Sequence, residues 1–134
     1  MSAFFDTNIL VYAQERGAKA DRARAVLADG GKISVQVLNE FTAVARRKLG
    51  QDWREIADAI DDALVLAGPP LPLTLDLQAA ARALAEQHRL SFYDALIVAA
   101  ALEAGCDTLF SEDMQHGRTI GTLRIENPFV DGPP

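Results

Sequence analysis

The sequence contains little of what several protein classes require. It has one cysteine, Cys106, so an internal disulfide cannot form and a reducing compartment is compatible with the composition. Its longest apolar run, from Ala95 to Leu102, is too short to cross a bilayer. The opening residues, MSAFFDTNIL, lack the basic region and small-residue cleavage site of a signal peptide. We therefore expect a cytoplasmic protein with no membrane partner.

Several kinds of catalytic site are also missing from the sequence. It contains no glycine-rich phosphate loop or dinucleotide-binding fingerprint, and no serine or cysteine with an obvious partner base. The two histidines, His88 and His116, do not form a zinc-binding cluster with the single cysteine, and we interpret both as ordinary surface residues. Nucleotide-binding loops, covalent nucleophiles and zinc sites are therefore not supported.

Positive charge is in short supply as well. The chain has 13 lysines and arginines against 19 aspartates and glutamates, which gives a formal net charge of −6. Proteins that bind nucleic acid passively normally have a basic surface, so this balance disfavours that class. Acids that surround bound metal ions are an exception, because the cations reverse the local charge. The total charge therefore leaves nucleic-acid chemistry open.

What is present is a globular composition, with 49% hydrophobic and 24% charged residues, in a length that suits one domain. Short apolar segments alternate with helical ones. The predicted strands are Ala3–Phe5, Ile33–Val35, Leu73–Leu75, Thr108–Phe110 and, at an edge of the sheet, Leu123–Ile125. The predicted helices are Ile9–Gln14, Ala18–Ala28, Gln36–Leu49, Trp53–Ala67, Leu77–His88 and one within Ser91–Gly105. This alternation predicts an α/β fold in which residues 1–134 form one domain around a parallel sheet covered on both faces.

Four acids are expected at one edge of this sheet. Asp6 follows the first strand, and Glu112 and Asp113 follow the Thr108–Phe110 strand. Glu40 and Asp94 lie in the early turns of their helices. In a parallel sheet the strand ends and the helix starts share one edge, which is where ligands bind. The sequence therefore predicts that these carboxylates converge.

Each acid also has a local explanation. Asp6, followed by Thr7 and Asn8, is a typical helix-capping residue. Ser91 and Asp94 match a capping box, in which the acid bonds back to the backbone at the start of its helix. For either position alone, helix capping is a sufficient interpretation. The shared edge is what favours a functional one.

Neighbouring carboxylates repel each other unless a counter-ion or a proton compensates their charge. Hard divalent cations such as Mg²⁺ and Mn²⁺ prefer oxygen ligands and retain waters that a substrate phosphate can replace. An acid cluster with such a metal is suited to phosphodiester hydrolysis, in which the metal activates water and stabilises the leaving oxygen. The acids therefore predict a Mg²⁺ or Mn²⁺ site.

Three segments in family order carry a resemblance: FDTNILVYA near the start, VLNEF in the middle, and SFYDALIVAAALEAGCDTLFSEDM towards the end. Together they resemble PIN-domain proteins, and most of all the VapC-type ribonuclease toxins of bacterial toxin–antitoxin pairs. The resemblance implies a three-layer α/β/α sandwich with a short-stranded sheet. It also implies a Mg²⁺- or Mn²⁺-dependent endoribonuclease that forms a homodimer and is inhibited by a cognate antitoxin.

The same resemblance assigns roles to individual residues. The acidic metal site would consist of Asp6, Glu40, Asp94 and Asp113, while Thr7 and Asn8 would orient Asp6 and Ser111 would support the site. Asp113 is preferred to Glu112 because it is the second residue after Ser111, although both remain candidates. Some relatives have another acid where this chain has His116, so one metal or two remain open.

The mechanism that we expect follows from this assignment. Asp6, Asp94 and Asp113 would hold one metal, and Glu40 would bind it through water or position the attacking water, which displaces the 3′ oxygen without a covalent intermediate. One alternative is a catalytically silent module that only binds a protein partner. The other is an aspartate-based phosphotransfer domain. That chemistry requires a suitably placed lysine, and no lysine follows the Thr108–Phe110 strand.

Two further features have simple structural interpretations. The basic run Arg46-Arg47-Lys48 ends a predicted helix, where cations favour the helix dipole, and we prefer this interpretation to RNA binding. Lys19, Arg22 and Arg24 are interpreted as a solvated helix face. The apolar stripe of Ile56, Ile60 and Leu64 is interpreted as core, with a groove for an antitoxin helix as the alternative.

Overall fold

A computed structural model describes residues 2–130 of the chain. Its strands are β1 (Ala3–Phe5), β2 (Thr108–Phe110), β3 (Thr119–Ile120) and β4 (Leu123–Glu126). Its helices are α1 (Thr7–Ala13), α2 (Ala18–Ala28), α3 (Val35–Arg47), α4 (Trp53–Ala67), α5 (Leu75–His88) and α6 (Phe92–Glu103). The bounds predicted for β1, β2, α2 and α4 are confirmed, and the other helices begin or end a few residues from their predicted bounds.

The strands form one sheet in the order β1-β2-β4-β3. The first three are parallel, while β3 runs antiparallel to β4. Phe4 and Phe5 are both fully buried although neighbouring residues of a strand point to opposite faces, so both faces of the sheet are covered. The predicted α/β/α sandwich is thereby confirmed, with the correction that the sheet is mixed rather than purely parallel.

Two predicted strands are wrong. At Ile33–Val35 the chain forms only isolated bridges, from Lys32 to Phe4 and from Ser34 to Leu71. The Ser34 hydroxyl accepts a hydrogen bond from the Val37 backbone N–H, so helix capping takes over where the strand was expected. At Leu73–Leu75 the same happens, because Thr74 caps α5.

The edge of the sheet beside β4 also differs from the prediction. The hairpin strand β3 was not predicted, since it contains only Thr119 and Ile120. It covers the outer side of β4, so β4 lies inside the sheet and not at its edge. A strand of two residues is too short to leave a periodic pattern in the sequence.

The helix α6 is the most deeply buried helix of the fold. Every residue from Ala95 to Ala101 is buried, as the absence of a polar face predicts. It packs mainly against α5, and also against α3 and β2. The first turn of this rigid helix therefore has a fixed position beside the sheet.

The helix α4 is amphipathic, and its stripe packs as predicted, with Ile56 buried and Ile60 and Leu64 partly buried against the core. Beside Ile60 lies a groove of about 220 Å³, which is lined by apolar residues of α1, α3 and α4, among them Leu10 and Phe41. No helix within residues 2–130 is long and apolar enough to span a membrane.

The parallel strands end level with each other, which fixes the edge where the acids were expected. The Asp6 N–H donates to the Phe110 carbonyl at 3.0 Å, and the Ser111 N–H donates to the Glu126 carbonyl at 2.9 Å. The residues that follow β1 and β2 therefore start side by side.

Candidate active site

Asp6 lies at the centre of the predicted acid cluster and is buried, with 3% of its surface exposed. It caps α1, and its carboxylate accepts hydrogen bonds from the Thr7 N–H and the Ser111 hydroxyl, both at 2.7 Å. Burial raises the pKa of Asp6 to about 6, against the effect of these hydrogen bonds. The charges of Asp94 and Glu40 raise it further, so the three carboxylates are close enough to interact.

Glu40 is held by hydrogen bonds to both of its carboxylate oxygens. Oε1 accepts from the Thr7 hydroxyl at 2.9 Å, and Oε2 accepts from the Gln36 amide at 3.0 Å. Thr7 was predicted to orient Asp6, but only its backbone does so, whereas its side chain orients Glu40. The role of Gln36 was not predicted, although its spacing of one helical turn from Glu40 could have indicated it.

Asn8 and Ser111 connect the two chain segments that follow β1 and β2. The Asn8 amide donates to Asp6 at 3.4 Å and to Asp113 at 3.1 Å, and its oxygen accepts from the Glu112 N–H at 3.2 Å. The Ser111 hydroxyl, which is fully buried, accepts from the Asp113 N–H at 3.2 Å while it donates to Asp6. The predicted supporting residues therefore fix Asp6 and Asp113 relative to each other.

Asp94 lies in the first turn of α6, where the Ser91 hydroxyl accepts from its N–H at 3.2 Å. A complete capping box would also have a bond from the Ser91 N–H to the Asp94 carboxylate. Within residues 2–130 that return bond is not formed. Partial burial raises the pKa of Asp94, the Ser91 hydroxyl opposes this shift, and the charge of Asp113 adds to it.

Glu112 and Asp113 are neighbours with different surroundings. Glu112 accepts from the Tyr12 hydroxyl at 2.6 Å and from the Lys19 ammonium at 2.5 Å. Partial burial raises the pKa of Glu112, but the bonds from Lys19 and Tyr12 outweigh it and the pKa lies below its usual value. Asp113 is exposed, and among residues 2–130 its side-chain carboxylate accepts from Asn8 and its backbone N–H donates to Ser111. Glu112 is thus neutralised by its partners, while Asp113 is not.

All four predicted acids line one cavity of about 500 Å³. Thr7, Asn8, Tyr12 and Glu112 line it as well, and Arg47 and Lys48 lie on its wall. The structure therefore brings together the predicted acids at one edge of the sheet. It also adds residues that were not assigned to the site, because Tyr12, Gln36 and Lys19 bond to it from other helices.

Some of the predicted surface residues have specific partners. His116 accepts from the Asn127 N–H at 2.9 Å through Nδ1, and its Nε2 is buried without a partner among the described residues, so it is not an ordinary surface residue. It does not line the cavity. Lys19 and Arg24 are likewise not simply solvated, since Lys19 pairs with Glu112 and Arg24 donates to the Ala13 carbonyl at 3.0 Å.

The donor set fits a hard divalent cation. The acids supply oxygen ligands, and in the described part of the chain the charges beside the buried Asp6 carboxylate are those of Asp94 and Glu40, both negative. Within residues 2–130, no three acidic, histidine or cysteine side chains are near enough to form a ready-made metal-binding group. The acids therefore line the cavity without forming such a group, and their side chains would have to move closer together to bind one cation.

Comparisons with known proteins place this arrangement in context. A sequence model of the PIN domain matches residues 3–120. No curated protein sequence matches the chain. Among solved structures, a toxin–antitoxin complex from Klebsiella pneumoniae superposes with a TM-score of 0.71 at 22% identity, over 96% of this chain and 98% of the other. VapBC2 from Rickettsia felis, bound to a promoter DNA fragment, gives 0.67 at 23% identity, over 95% and 98%.

A third structure is VapC20 from Mycobacterium tuberculosis, a toxin that cleaves the sarcin–ricin loop. It superposes with a TM-score of 0.65 at 23% identity, over 84% of this chain and 90% of that one. Likeness at this level of identity establishes a common fold and nothing finer.

Proposed function

The chain belongs to the PIN domain family, and on this premise we propose that it is a metal-dependent endoribonuclease and the toxin of a toxin–antitoxin pair. One observation carries the proposal: four carboxylates from four separate segments line a single cavity at the edge where the parallel strands end. Burial disfavours the charged form of Asp6, and a bound cation would offset that cost.

We propose Asp6, Asp94 and Asp113 as the ligands of a Mg²⁺ or Mn²⁺ ion. When bound, the ion would lower the pKa of a water molecule and stabilise the oxygen that leaves the phosphorus. Ser111 and Asn8 keep Asp6 and Asp113 in a fixed relation, which reduces the reorganisation that binding requires. The buried helix α6 does the same for Asp94.

Glu40 has a different role in this proposal. Thr7 and Gln36 each donate to one of its oxygens, which orients the carboxylate and leaves its remaining lone pairs available to the cavity. A carboxylate held in this way can accept a hydrogen bond from the attacking water and orient it towards the phosphate. Glu40 therefore acts on the water, directly or as a water-mediated ligand.

The structural neighbours support the choice of substrate and partner. VapC20 is a toxin that cleaves the sarcin–ricin loop, and the neighbour from Klebsiella pneumoniae is a toxin–antitoxin complex. We propose RNA as the substrate, a cognate antitoxin as the partner, a homodimer as the assembly and the cytoplasm as the location. The apolar groove beside α4 is suited to an amphipathic helix of the antitoxin.

The test of this proposal is a cleavage assay with purified protein and a mixture of unlabelled cellular RNAs. We expect no cleavage in chelator, and cleavage after Mg²⁺ or Mn²⁺ is restored. Cleavage that persists in chelator would contradict the metal dependence. Intact RNA under all metal conditions would instead favour the silent binding module.

An aspartate-based phosphotransfer domain is less well supported. Such a domain needs a nucleophilic aspartate with an accessible oxygen and a nearby lysine. The carboxylate of Asp6 is buried and hydrogen-bonded to Thr7 and Ser111. Among residues 2–130 the one lysine that lines the cavity is Lys48, which lies more than two helical turns beyond Glu40. Incubation with a phosphoryl donor followed by intact-mass measurement should show no added phosphate.

A further inference from the structure

The three cations at the end of α3 have different surroundings. Arg46 is engaged by the protein, because its guanidinium donates to the Gln51 carbonyl at 3.1 Å and lies 4.8 Å from the centre of the Trp53 ring. Arg47 and Lys48 instead line the cavity that contains the acids. The interaction with the helix dipole therefore does not by itself explain the positions of all three residues.

Arg47 and Lys48 are exposed cations whose side chains have no partner among residues 2–130. The ion pairs within residues 2–130 join Lys19 to Glu112 and Arg24 to Asp21, and no side-chain hydrogen bond of Arg47 or Lys48 is formed in that part of the chain. The helix dipole favours a cation at this position, but it does not select the side that faces the cavity.

One face of α3 connects these cations to the acids. Residues 40, 44, 47 and 48 follow the spacing of one helical face, and Glu40, Val44, Arg47 and Lys48 all line the same cavity. Glu40 and Arg47 are two turns apart, which corresponds to about 10 Å along the helix axis. The cavity thus has the four acids beside the sheet and two cations at the C-terminus of α3, and Glu15, which follows α1, lines it as well.

We propose that Arg47 and Lys48 bind backbone phosphates of the RNA strand next to the phosphate that is cleaved. This inference rests on the proposed ribonuclease function for the identity of the ligand. A chain with net charge −6 and an acidic cavity repels a polyanion, so the strand needs cations close to the site. Phosphate contacts fix the position of a strand but do not read its sequence, so the two residues hold RNA without selecting it.

The experiment measures binding of a fluorescein-labelled oligouridylate by fluorescence anisotropy over a series of salt concentrations, with Ca²⁺ in place of Mg²⁺. The integrity of the oligonucleotide is checked on a gel. The variants are Arg47→Gln and Lys48→Gln, and Arg46→Gln is the matched control because it removes the same charge from the same turn. Arg82→Gln, an exposed position on α5 outside the cavity, controls for the change in net charge.

We expect Arg47→Gln and Lys48→Gln each to reduce the slope of log K against log salt by about 0.7, the value for one phosphate contact to a single strand. The Arg46→Gln and Arg82→Gln proteins should keep the wild-type slope. Equal losses in all four variants, or no loss in Arg47→Gln and Lys48→Gln, would overturn the inference.

Cleavage of RNA by the wild-type protein is assayed separately, which distinguishes this inference from the proposed function. A wild-type protein that cuts RNA, with an unchanged salt slope in both variants, contradicts the inference alone. A wild-type protein that binds RNA through Arg47 and Lys48 but never cuts it contradicts the ribonuclease function alone.

Discussion

The first turns of α4 and α6 carry the same local motif with different results. Each helix has a capping residue followed by an acid three positions later, Asp52 with Glu55 in α4 and Ser91 with Asp94 in α6. In α4 the box is closed, because Asp52 accepts from the Glu55 N–H at 2.8 Å and Glu55 accepts from the Asp52 N–H at 3.0 Å. In α6 only the first of these bonds forms.

The difference has two physical reasons. Aspartate is one methylene shorter than the glutamate that usually closes a capping box, so Asp94 is less able to reach back. The first turn of α4 is exposed, whereas that of α6 lies beside the sheet edge and the charge of Asp113. The same capping motif can therefore form both of its hydrogen bonds in one helix, while in another helix its acid side chain faces a cavity. The length of the acid and its surroundings determine which of these occurs.

The largest effect on RNA cleavage is expected from a change in the incomplete capping box of α6, formed by Ser91 and Asp94. Asp94→Asn should reduce RNA cleavage by about 100-fold or more, since even residues that only support a metal ligand contribute 10- to 100-fold. The thermal midpoint should stay level or rise, because a partly buried charge is removed. Glu55→Gln, the matched change in the closed box, should leave cleavage at the wild-type level. Equal activities of the two variants would remove the functional distinction between the boxes.

A similar contrast is expected between the neighbours Glu112 and Asp113. Asp113→Asn should reduce cleavage by about 10- to 100-fold. Glu112→Gln should have a much smaller effect, because Lys19 and Tyr12 already engage this carboxylate. Binding of Mn²⁺, followed by electron paramagnetic resonance, should weaken in the first variant and persist in the second. The reverse order would make Glu112 the fourth acid.

The dependence of stability on pH tests whether the cavity holds an unfavourable charge at Asp6. The pKa of Asp6 is higher in the folded protein, about 6 against 3.8, so the folded state binds this proton more tightly. In chelator, this residue should therefore lower the free energy of unfolding by roughly 2 to 4 kcal/mol as the pH rises from about 4 to about 6.

The measurement is urea denaturation of the wild type and of Asp6→Asn across that pH range. The variant should gain stability relative to the wild type up to about pH 6, and Mg²⁺ should restore the wild type because it binds the ionised carboxylates of the folded state. Parallel curves for the two proteins would show that burial of this carboxylate costs nothing.

The smallest effects are expected from the caps themselves. Asp52→Ala and Ser91→Ala should each cost about 1 kcal/mol of stability, the usual value of an N-cap. Only Ser91→Ala should also lower cleavage, because the first turn of α6 positions Asp94. Cleavage per folded molecule that stays unchanged in Ser91→Ala would mean that the packing of α6 alone positions this acid.

Sequence patterns could predict the parts of the fold that depend on local chemistry. The strands β1 and β2 and the helices α2 and α4 follow directly from apolar spacing and from capping or glycine signals. The segment Ile33–Val35 was mistaken for a strand because its apolar residues suit a strand as well as a helix start, and the Ser34 cap decides.

The candidate site divides in the same way. The shared edge of the acids follows from the alternation of strands and helices, so their common cavity could be anticipated. The bonds of Tyr12 and Lys19 to Glu112 could not be predicted from the sequence, because they join side chains that are 100 and 93 positions apart. Such contacts depend on how helices pack over the sheet, which no local pattern specifies.

The pairing of β1 with β2 has a consequence for how the chain is made. Asp6 meets Ser111, 105 positions later, so its carboxylate environment is completed only by a segment far along the chain. During synthesis the N-terminal segments emerge first, and contacts of such long range form late. A nascent chain on the ribosome, surrounded by RNA, therefore lacks Asp113 and the complete carboxylate set until translation has passed residue 113.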